Sequence, residues 1–294
     1  MLPRCFGVLG DPVGHSRSPR MHAAAFAALG LPHRYLAFQV RRSELAAAIA
    51  GARALGLGGL NLTAPHKQAG LGCVDRLGAA ARRIGAVNTL CFTAAGVVGE
   101  NTDGVGFVAA ARELGVAAVG SVAVLGAGGA ALAVVDALVH EGLLRAGGQL
   151  RWVTREPARL AGLIAARPEW SGVVATGWDE LVDRPLRAEL LVNCTSVGMR
   201  GGPVDFPVGL RLGELPAQAR VIDLVYGGPP GGSGGLLERA AARGLATQDG
   251  LAMLLWQGVR ALELWLGIAA SAEVVAAMRA ALYAENLPGE PGPG

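Results

Sequence analysis

Polar side chains that could bind a substrate and move a proton are concentrated in a few short segments of an otherwise apolar chain. They are Ser16 and Ser18 in GHSRSP, Asn61, Thr63 and Lys67 in NLTAPHK, Asn88 and Thr89 in GAVNT, and Asp103 in NTDG. Lys67 and Asp103 supply a donor and an acceptor of opposite charge, which suits general acid–base chemistry. Hydroxyl and amide groups recognise hydroxyl groups on a ligand. The combination therefore predicts a polyhydroxylated acid whose alcohol is converted to a ketone.

Lys67 is the only lysine among the 26 basic residues of the chain. We interpret this composition as a bias that replaces lysine by arginine wherever a positive charge is sufficient. A partly buried lysine can lose its proton near neutral pH, whereas arginine effectively cannot. We therefore expect Lys67 to perform chemistry that arginine cannot, and chance survival of one lysine is the alternative.

A glycine-rich segment indicates a dinucleotide site. The segment comprises Gly126, Ala127, Gly128, Gly129, Ala130 and Ala131. It follows a predicted strand and opens an alanine-rich helix, which is the context of the GxGxxA fingerprint. Gly126 would permit a tight turn, Gly128 would let a pyrophosphate approach the backbone, and free amides at the helix start would bind the phosphates. Because the chain contains 45 glycines, a purely structural turn is the alternative.

The end of the next predicted strand, Leu150–Val153, bears on the choice of cofactor. Enzymes that use NAD usually place an acidic residue there to accept hydrogen bonds from the ribose hydroxyls. Here the strand is followed by Thr154 and Arg155, with Arg159 four residues further on. Two guanidinium groups suit a 2′-phosphate, so the sequence favours NADP, with NAD as the alternative. Glu156 lies between the arginines and would repel that phosphate if it pointed inward.

Alternating strand and helix patterns predict an α/β fold. Strands are predicted at Cys5–Leu9, Tyr35–Val40, Gly59–Leu62, Val87–Phe92, Val97–Glu100, Ser121–Leu125, Leu150–Val153, Val173–Ala175, Leu190–Asn193 and Val221–Leu224. Helices are predicted at Ser18–Leu29, Ser43–Leu55 with Ser43 as N-cap, Gly104–Leu114, Leu236–Arg243, Met253–Leu266 and Ala272–Tyr283. The regular alternation after residue 121 is typical of a parallel, doubly wound sheet. We expect a flexible loop at Gly227–Gly235 and a disordered tail at 287–294.

Length and composition argue against several other classes of protein. The 294 residues suffice for two domains, and a net charge of +3 does not favour nucleic-acid binding. The four cysteines are dispersed, so we expect neither disulfides nor a metal site. We also expect the protein to be cytoplasmic. The N-terminus shows no signal-peptide pattern. Mean hydropathy is +0.40, but the longest uncharged run, Leu114–Val135, contains five glycines, and we interpret it as strand, turn and helix rather than a membrane span.

The ordered set of motifs resembles the shikimate dehydrogenase family. The matching segments are Gly10–Pro19 (GDPVGHSRSP), Asn61–Lys67 (NLTAPHK), Ile84–Leu90 (IGAVNTL), Gly99–Phe107 (GENTDGVGF), Gly126–Ala131 (GAGGAA), Asn193–Met199 (NCTSVGM), Asp223–Tyr226 (DLVY) and Gly250–Gln257 (GLAMLLWQ). They occur in the family's order over residues 5–268. The resemblance implies an NADP-dependent oxidoreductase that reduces 3-dehydroshikimate to shikimate in aromatic amino acid biosynthesis.

The resemblance also implies roles for individual residues. Lys67 would be the acid/base that donates a proton to the ketone oxygen, with Asp103 beside it. Ser16 and Ser18 would bind the substrate carboxylate. The ring hydroxyls would be bound by Thr63, Lys67, Asn88, Asp103 and Gln257, with Tyr226 also at the site. The cofactor would be lined by Gly126, Ala127, Gly128, Gly129, Ala130, Thr154, Arg155, Arg159, Leu224 and Gly250.

The family's organisation implies a substrate-binding domain at residues 1–104 and a Rossmann-like dinucleotide-binding domain at 105–246. Helices at 247–286 would return to the first domain. The expected partners are the small-molecule substrate and NADP, with no metal, nucleic acid or membrane, and the chain would be a monomer or a homodimer.

Two alternatives remain. The nearer one is a paralogue that acts on quinate or an amino-shikimate, or that prefers NAD. In its favour, Thr154-Arg155-Glu156 departs from the family's usual Asn-Arg-Thr. The other is a catalytically silent sensor that binds shikimate-like ligands or a nucleotide. Lys67 and Asp103 together argue against the sensor, because mere binding needs no proton shuttle.

Overall fold

The computed structural model describes residues 2–199, 201–226 and 232–284, without the side chains of 232–234. The chain divides into two compact units. The first contains the residues up to Arg82, Ala86–Thr102 and the chain from Gln257 onward, and the second contains Arg83–Gly85 and Asp103–Trp256. The predicted tail at 287–294 and residues 227–231 of the predicted glycine loop lie outside the described residues.

The first unit is built on a six-stranded mixed sheet. Its strands are β1 (Cys5–Gly10), β2 (Arg34–Gln39), β3 (Gly59–Leu62), β4 (Arg76–Leu77), β5 (Thr89–Thr93) and β6 (Gly96–Glu100). The strand order is β2-β1-β3-β5-β6-β4. Strand β1 runs parallel to β2 and β3, whereas β5 runs antiparallel to β3 and β6. All four residues of β3 are buried, as expected of a central strand whose two faces are both covered.

Helices cover this sheet. They are α1 (Ser18–Ala28), α2 (Leu45–Ala54), α3 (Ala79–Ile84), α9 (Gly250–Leu266) and α10 (Ala272–Tyr283), of which α3 and α9 continue into the second unit. Helix α10 packs against α1. Its buried residues, Val274, Met278 and Leu282, recur every four positions and so form one apolar stripe.

The second unit contains a fully parallel six-stranded sheet. Its strands are β7 (Val119–Leu125), β8 (Leu144–Thr154), β9 (Val173–Gly177), β10 (Leu190–Asn193), β11 (Arg220–Asp223) and β12 (Ala246–Gln248). The order β12-β11-β10-β7-β8-β9 is that of a doubly wound sheet, and it reverses between β7 and β10. Its helices are α4 (Asp103–Glu113), α5 (Gly129–His140), α6 (Pro157–Ala165), α7 (Glu180–Asp183) and α8 (Gly232–Ala241). Ligands of such sheets bind where the order reverses.

The predicted fold class, α/β with a Rossmann-like second sheet, is confirmed, and several element boundaries need correction. Strands Gly59–Leu62 and Leu190–Asn193 match to the residue. Ser43 is not an N-cap, because it lies inside a 3₁₀ turn and α2 begins at Leu45 after Glu44. The predicted strand at 150–153 is the end of the longer β8. No helix within the described ranges has both the length and the apolar character needed to cross a membrane.

Candidate active site

Ser16 and Ser18 lie at the start of α1, after β1 has ended. The Ser16 N–H donates to the Val13 carbonyl at 3.0 Å, and the Ser18 N–H donates to Ser16 Oγ at 3.3 Å. Arg17, the N-cap residue of α1, makes no cap with its side chain, and the first N–H groups of a helix have no acceptor within it. The two hydroxyls therefore lie beside the positive end of a helix dipole, an arrangement that suits a carboxylate.

Lys67 belongs to a loop that follows β3 and is fixed by main-chain hydrogen bonds. The His66 N–H donates to the Thr63 carbonyl at 2.8 Å, and the Val87 N–H donates to the Lys67 carbonyl at 2.8 Å. The His66 ring is fully buried, with Nε2 2.8 Å from the Val40 carbonyl. His66 therefore orients the loop, while the Lys67 side chain remains half-buried rather than enclosed.

Asn88 is the centre of a buried hydrogen-bond network in the first unit. Its Oδ1 accepts from the Thr102 N–H at 2.8 Å, and its Nδ2 donates to Thr102 Oγ1 at 3.0 Å. The same Nδ2 lies 3.4 Å from Gln257 Oε1, and Thr89 Oγ1 donates to Asn88 Oδ1 at 3.0 Å. Asn88 and Gln257 are 169 positions apart in the chain, and the fold brings these two predicted substrate residues into contact.

Asn61 holds the backbone beneath this network. Its Nδ2 donates to the Asn88 carbonyl and to Thr89 Oγ1, both at 3.0 Å. The Tyr35 hydroxyl donates to Asn61 Oδ1 at 2.7 Å. The sequence gives no signal for this role of Tyr35, because an aromatic residue on a strand is ordinary. These bonds satisfy the Asn61 amide, so its role in the structure is to support Asn88.

His22 stacks on Tyr35 in the aromatic core of the same unit. The two ring centroids are 4.3 Å apart and the ring planes differ by 11°. His22 is fully buried, and neither of its ring nitrogens has a hydrogen-bond partner in the described structure. Burial lowers the pKa of His22 to about 3, so the ring is neutral at physiological pH.

The glycine loop joins β7 to α5, next to the point where the strand order reverses. Gly126 has φ +98°, and a Cβ there would lie 2.9 Å from the Cys194 carbonyl oxygen. Only glycine fits such a position without strain. Gly128 is the N-cap of α5, so no side chain there covers the first N–H groups of the helix. The space that a Cβ would occupy is open. Exposed amides and free space at a helix start are what a pyrophosphate requires.

Thr154, Arg155 and Arg159 follow β8, the strand next to β7. Thr154 is buried and its Oγ1 accepts from the Glu156 N–H at 3.3 Å. Arg159 Nη1 lies 3.3 Å from Glu156 Oε2 in an exposed ion pair. Within the described residues Arg155 is exposed and makes no hydrogen bond or ion pair. Glu156 is therefore directed to Arg159, and the Arg155 guanidinium remains available to a phosphate.

The ends of β10 and β11 carry a second buried network. Asn193 Nδ2 donates to Asp223 Oδ1 at 2.8 Å, and Asp223 Oδ1 also accepts from the Val225 N–H at 3.0 Å. Asn193 Oδ1 accepts from the Thr195 N–H at 3.0 Å. Burial raises the pKa of the Cys194 thiol, and the Asp223 carboxylate adds to the shift. These bonds fix the two loops that follow the strands.

Leu224, Tyr226 and Gly250 lie just beyond this network. The Leu224 N–H donates to the Asn193 carbonyl at 2.9 Å. A Cβ on Gly250 would lie 2.1 Å from the Leu224 carbonyl oxygen, so α9 can begin there only with glycine. The predicted cofactor residues Leu224 and Gly250 are thus in contact, and Tyr226 is half-buried two residues further on.

Asp103 opens α4 in the second unit and its side chain is buried. A carboxylate in the first turn of a helix is stabilised by the helix dipole.

Asp136 is another buried carboxylate of this unit. Arg83 Nε donates to its Oδ1 at 2.9 Å and to its Oδ2 at 3.0 Å. Sequence reasoning missed the Arg83–Asp136 pair, although a single aspartate in the apolar helix GAALAVVDALVH was a signal of a buried partner.

The side chains that bind metal ions do not cluster in the described part of the chain. No group of three or more His, Cys, Asp or Glu side chains there is arranged to hold an ion.

Comparison with known proteins identifies the family. The model of the shikimate dehydrogenase substrate binding domain matches residues 8–90, and that of the shikimate 5'-dehydrogenase C-terminal domain matches residues 250–283. A Rubrobacter xylanophilus protein named shikimate dehydrogenase (NADP(+)) is 45% identical over 284 residues, which are 95% of each chain.

Two solved structures extend the comparison. Shikimate 5-dehydrogenase from Thermus thermophilus, in complex with NADP(H) and shikimate, is 36% identical, with a TM-score of 0.78 over 95% of this chain and 99% of that one. Shikimate 5-dehydrogenase from Listeria monocytogenes, in complex with shikimate and NAD, is 30% identical, with a TM-score of 0.76 over 93% and 95%. Identity and coverage at this level show that the chain belongs to the shikimate dehydrogenase family.

Proposed function

We propose that this protein catalyses the reversible, NADP-dependent reduction of 3-dehydroshikimate to shikimate in aromatic amino acid biosynthesis. The observation that carries the proposal is the buried network around Asn88, which joins Thr102 and Gln257 in one hydrogen-bonded group. A ligand with several hydroxyls is recognised by such preorganised amides and hydroxyls. The relatives named above match almost the whole length of the chain. Their names describe activity on shikimate or a complex with it.

In this proposal Lys67 is the acid that protonates the ketone oxygen, and in the reverse direction it accepts the proton of the hydroxyl group. Asp103 is assigned to the same step as the acidic partner. Ser16 and Ser18 bind the substrate carboxylate at the start of α1. The long contact between Asn88 Nδ2 and Gln257 Oε1, 3.4 Å, is one that a ring hydroxyl can replace. Holding the ring still in this way lowers the entropic part of the barrier.

The residues at the glycine loop fit the phosphate groups of a dinucleotide. Gly126 and Gly128 keep side chains away from the start of α5, and Arg155 presents a guanidinium with no other partner in the described structure. Thr154, Arg159, Leu224 and Gly250 would line the rest of the site. Bound NADPH supplies the hydride for the reduction.

A preference for NAD is the second candidate, and Glu156 is the observation that favours it. A carboxylate near the end of the second strand repels a 2′-phosphate and accepts hydrogen bonds from ribose hydroxyls. The Glu156–Arg159 ion pair argues for NADP, because it directs the carboxylate to a neighbouring cation.

The test is the initial rate of oxidation of shikimate and of quinate, each with NADP⁺ and with NAD⁺. We expect fast turnover only with shikimate and NADP⁺. Comparable rates with NAD⁺ or quinate would support the paralogue instead, and no turnover with any pair would support a sensor. A Glu156→Gln variant measured in parallel should shift the ratio of kcat/KM towards NADP⁺ if Glu156 opposes the phosphate.

We further propose that residues 1–104 form the substrate-binding domain and residues 105–246 the dinucleotide-binding domain. Residues 247–286 form the helices that return to the first domain.

The protein would act in the cytoplasm as a monomer or a homodimer. Light scattering of the purified chain at several concentrations would distinguish those two states.

A further inference from the structure

Arg17 and Arg20, at the start of α1, both bind one main-chain oxygen at the end of α10. Arg17 Nη1 donates to the Leu282 carbonyl at 3.0 Å, and Arg20 Nη2 donates to the same oxygen at 2.5 Å. These contacts join residues more than 260 positions apart in the chain. Arg17 is also the residue between Ser16 and Ser18, so the contact is made from within the segment that carries both serines.

The chemistry of a helix end favours this contact. The last carbonyls of a helix have no partner within it, and the negative end of its dipole attracts cations. Leu282 lies in the last turn of α10, and its side chain is fully buried, which fixes the position of its carbonyl. Hydrogen bonds from guanidinium groups are stronger than those between neutral groups. Arg17 and Arg20 are therefore anchored to a buried turn of α10.

Within the described residues, the N–H groups of Ser16 and Ser18 make only local hydrogen bonds. Two local bonds involve Ser16, namely the one from its N–H to the Val13 carbonyl and the one from the Ser18 N–H to its hydroxyl. Both bonds lie inside the turn and neither ties it to another helix. The tether from Arg17 and Arg20 to Leu282 connects this turn to the C-terminal helix.

We propose that Arg17 and Arg20 are positioning residues for the substrate carboxylate, with α10 as the fixed support. They hold the Ser16–Ser18 segment in the geometry that binds the carboxylate, so that binding does not have to order it. This inference rests on the proposed function and adds a role for two arginines and for the end of α10. A segment that must be ordered on binding lowers affinity without altering the chemical step.

The test compares kcat and KM for the Arg17→Ala/Arg20→Ala double variant with those of Arg42→Ala, which removes an exposed arginine of the same unit. We expect the KM for shikimate to rise about ten-fold in the double variant, while kcat and the KM for NADP⁺ stay within about two-fold. The single variant Arg17→Lys keeps the charge and a hydrogen-bond donor. It should retain most of the wild-type affinity for shikimate. It also remains informative if the double variant fails to fold.

A neutral ligand separates carboxylate positioning from general damage. Shikimate methyl ester, measured as a competitive inhibitor, should bind the wild type and the double variant equally well. An equal loss for the ester and the acid would overturn the proposal. So would a KM effect that disappears at high ionic strength, because long-range attraction is screened by salt whereas a tether is not.

Amide hydrogen exchange tests the tether without relying on turnover. Exchange at residues 14–18 should be faster in the double variant than in Arg42→Ala, and unchanged exchange would contradict the proposal. If the wild type did not oxidise shikimate at all, the proposed function would fail, and exchange would still report whether the arginines hold this segment.

Discussion

Thr102 binds both ends of the Asn88 side-chain amide. Its N–H donates to Oδ1 at 2.8 Å and its hydroxyl accepts from Nδ2 at 3.0 Å. A main-chain N–H can donate only to the oxygen of the amide, so this pair of bonds determines which way the group faces. The second N–H of Asn88 is thereby directed to Gln257, where the proposed substrate hydroxyl would bind.

Thr102→Val removes the hydroxyl and keeps the shape of the side chain. The Asn88 Nδ2 group then loses an acceptor inside the protein, so the KM for shikimate should rise about ten-fold with kcat nearly unchanged. Steady-state kinetics with saturating NADP⁺ measure this. Thr93→Val is the matched control, because the Thr93 hydroxyl donates to the Gly96 carbonyl in the β5–β6 turn, and its KM should match the wild type. An unchanged KM in Thr102→Val would show that Asn88 does not need this support.

Gly126 and Gly128 should respond differently to alanine. A Cβ on Gly128 meets nothing in the protein but occupies the approach of the pyrophosphate, so Gly128→Ala should raise the KM for NADP⁺ about ten-fold at unchanged stability. Gly126→Ala should also lower the free energy of unfolding by about 1–2 kcal/mol, because φ is +98° there. Cofactor kinetics and urea unfolding measure the two effects. A Gly128→Ala enzyme with normal NADP⁺ affinity would argue against the assigned phosphate site.

The Arg83–Asp136 pair should contribute strongly to stability. The Asp136 side chain is 2% exposed and that of Arg83 is 33% exposed. Arg83→Met leaves a buried carboxylate with His140 as its remaining neighbour, and should lower the unfolding free energy by about 3 kcal/mol. Arg187→Met, which breaks an exposed pair with Glu214, should cost less than about 1 kcal/mol. Equal costs in urea unfolding would contradict this difference.

His22 should make the protein less stable in acid. Its pKa is lowered to about 3 in the folded protein by burial, against 6.5 for an ordinary histidine. As the pH falls below 6.5, the unfolded chain gains a proton that the folded chain does not bind. The contribution of neutral His22 to the free energy of unfolding is thus fully present above pH 6.5. It falls by about 1.4 kcal/mol for each pH unit down to the pKa of the folded protein.

The His22→Leu variant isolates this effect. Urea unfolding at about pH 7 and about pH 5 should show a smaller loss of stability in His22→Leu than in the wild type, by about 2 kcal/mol. His15→Leu is the control, because His15 is exposed, and its loss should equal that of the wild type. The same loss in all three proteins would mean that His22 is not the buried neutral group described above.

Much of the fold could be predicted because its signals are local. Strand Leu190–Asn193 is a short apolar run that ends at a polar residue, and the structure has the same bounds. The glycine loop was recognisable because the positive φ of Gly126 requires that residue type. Strand β12, Ala246–Gln248, was missed because a three-residue edge strand of mixed polarity has no periodicity to detect.

The missed contacts depend on tertiary structure. Nothing in GHSRSP shows that Arg17 reaches the last turn of α10, because its acceptor is a main-chain carbonyl, which every residue has. The partner of Asp136 likewise lies 53 positions away in the chain. Residue type and spacing indicate which groups can react. The groups that hold them in place depend on how distant segments of the chain pack together.

The role of Lys67 as the acid/base is tested most directly by the kcat of Lys67→Ala for shikimate oxidation with NADP⁺, measured beside the wild type. We expect a fall of about 10²–10⁴-fold, because the variant lacks the group that accepts the hydroxyl proton. Lys67→Arg should lose as much, since arginine keeps its proton at any pH the enzyme meets. Full turnover by Lys67→Ala would contradict the assignment of Lys67 as the acid/base and, with it, the proposed mechanism.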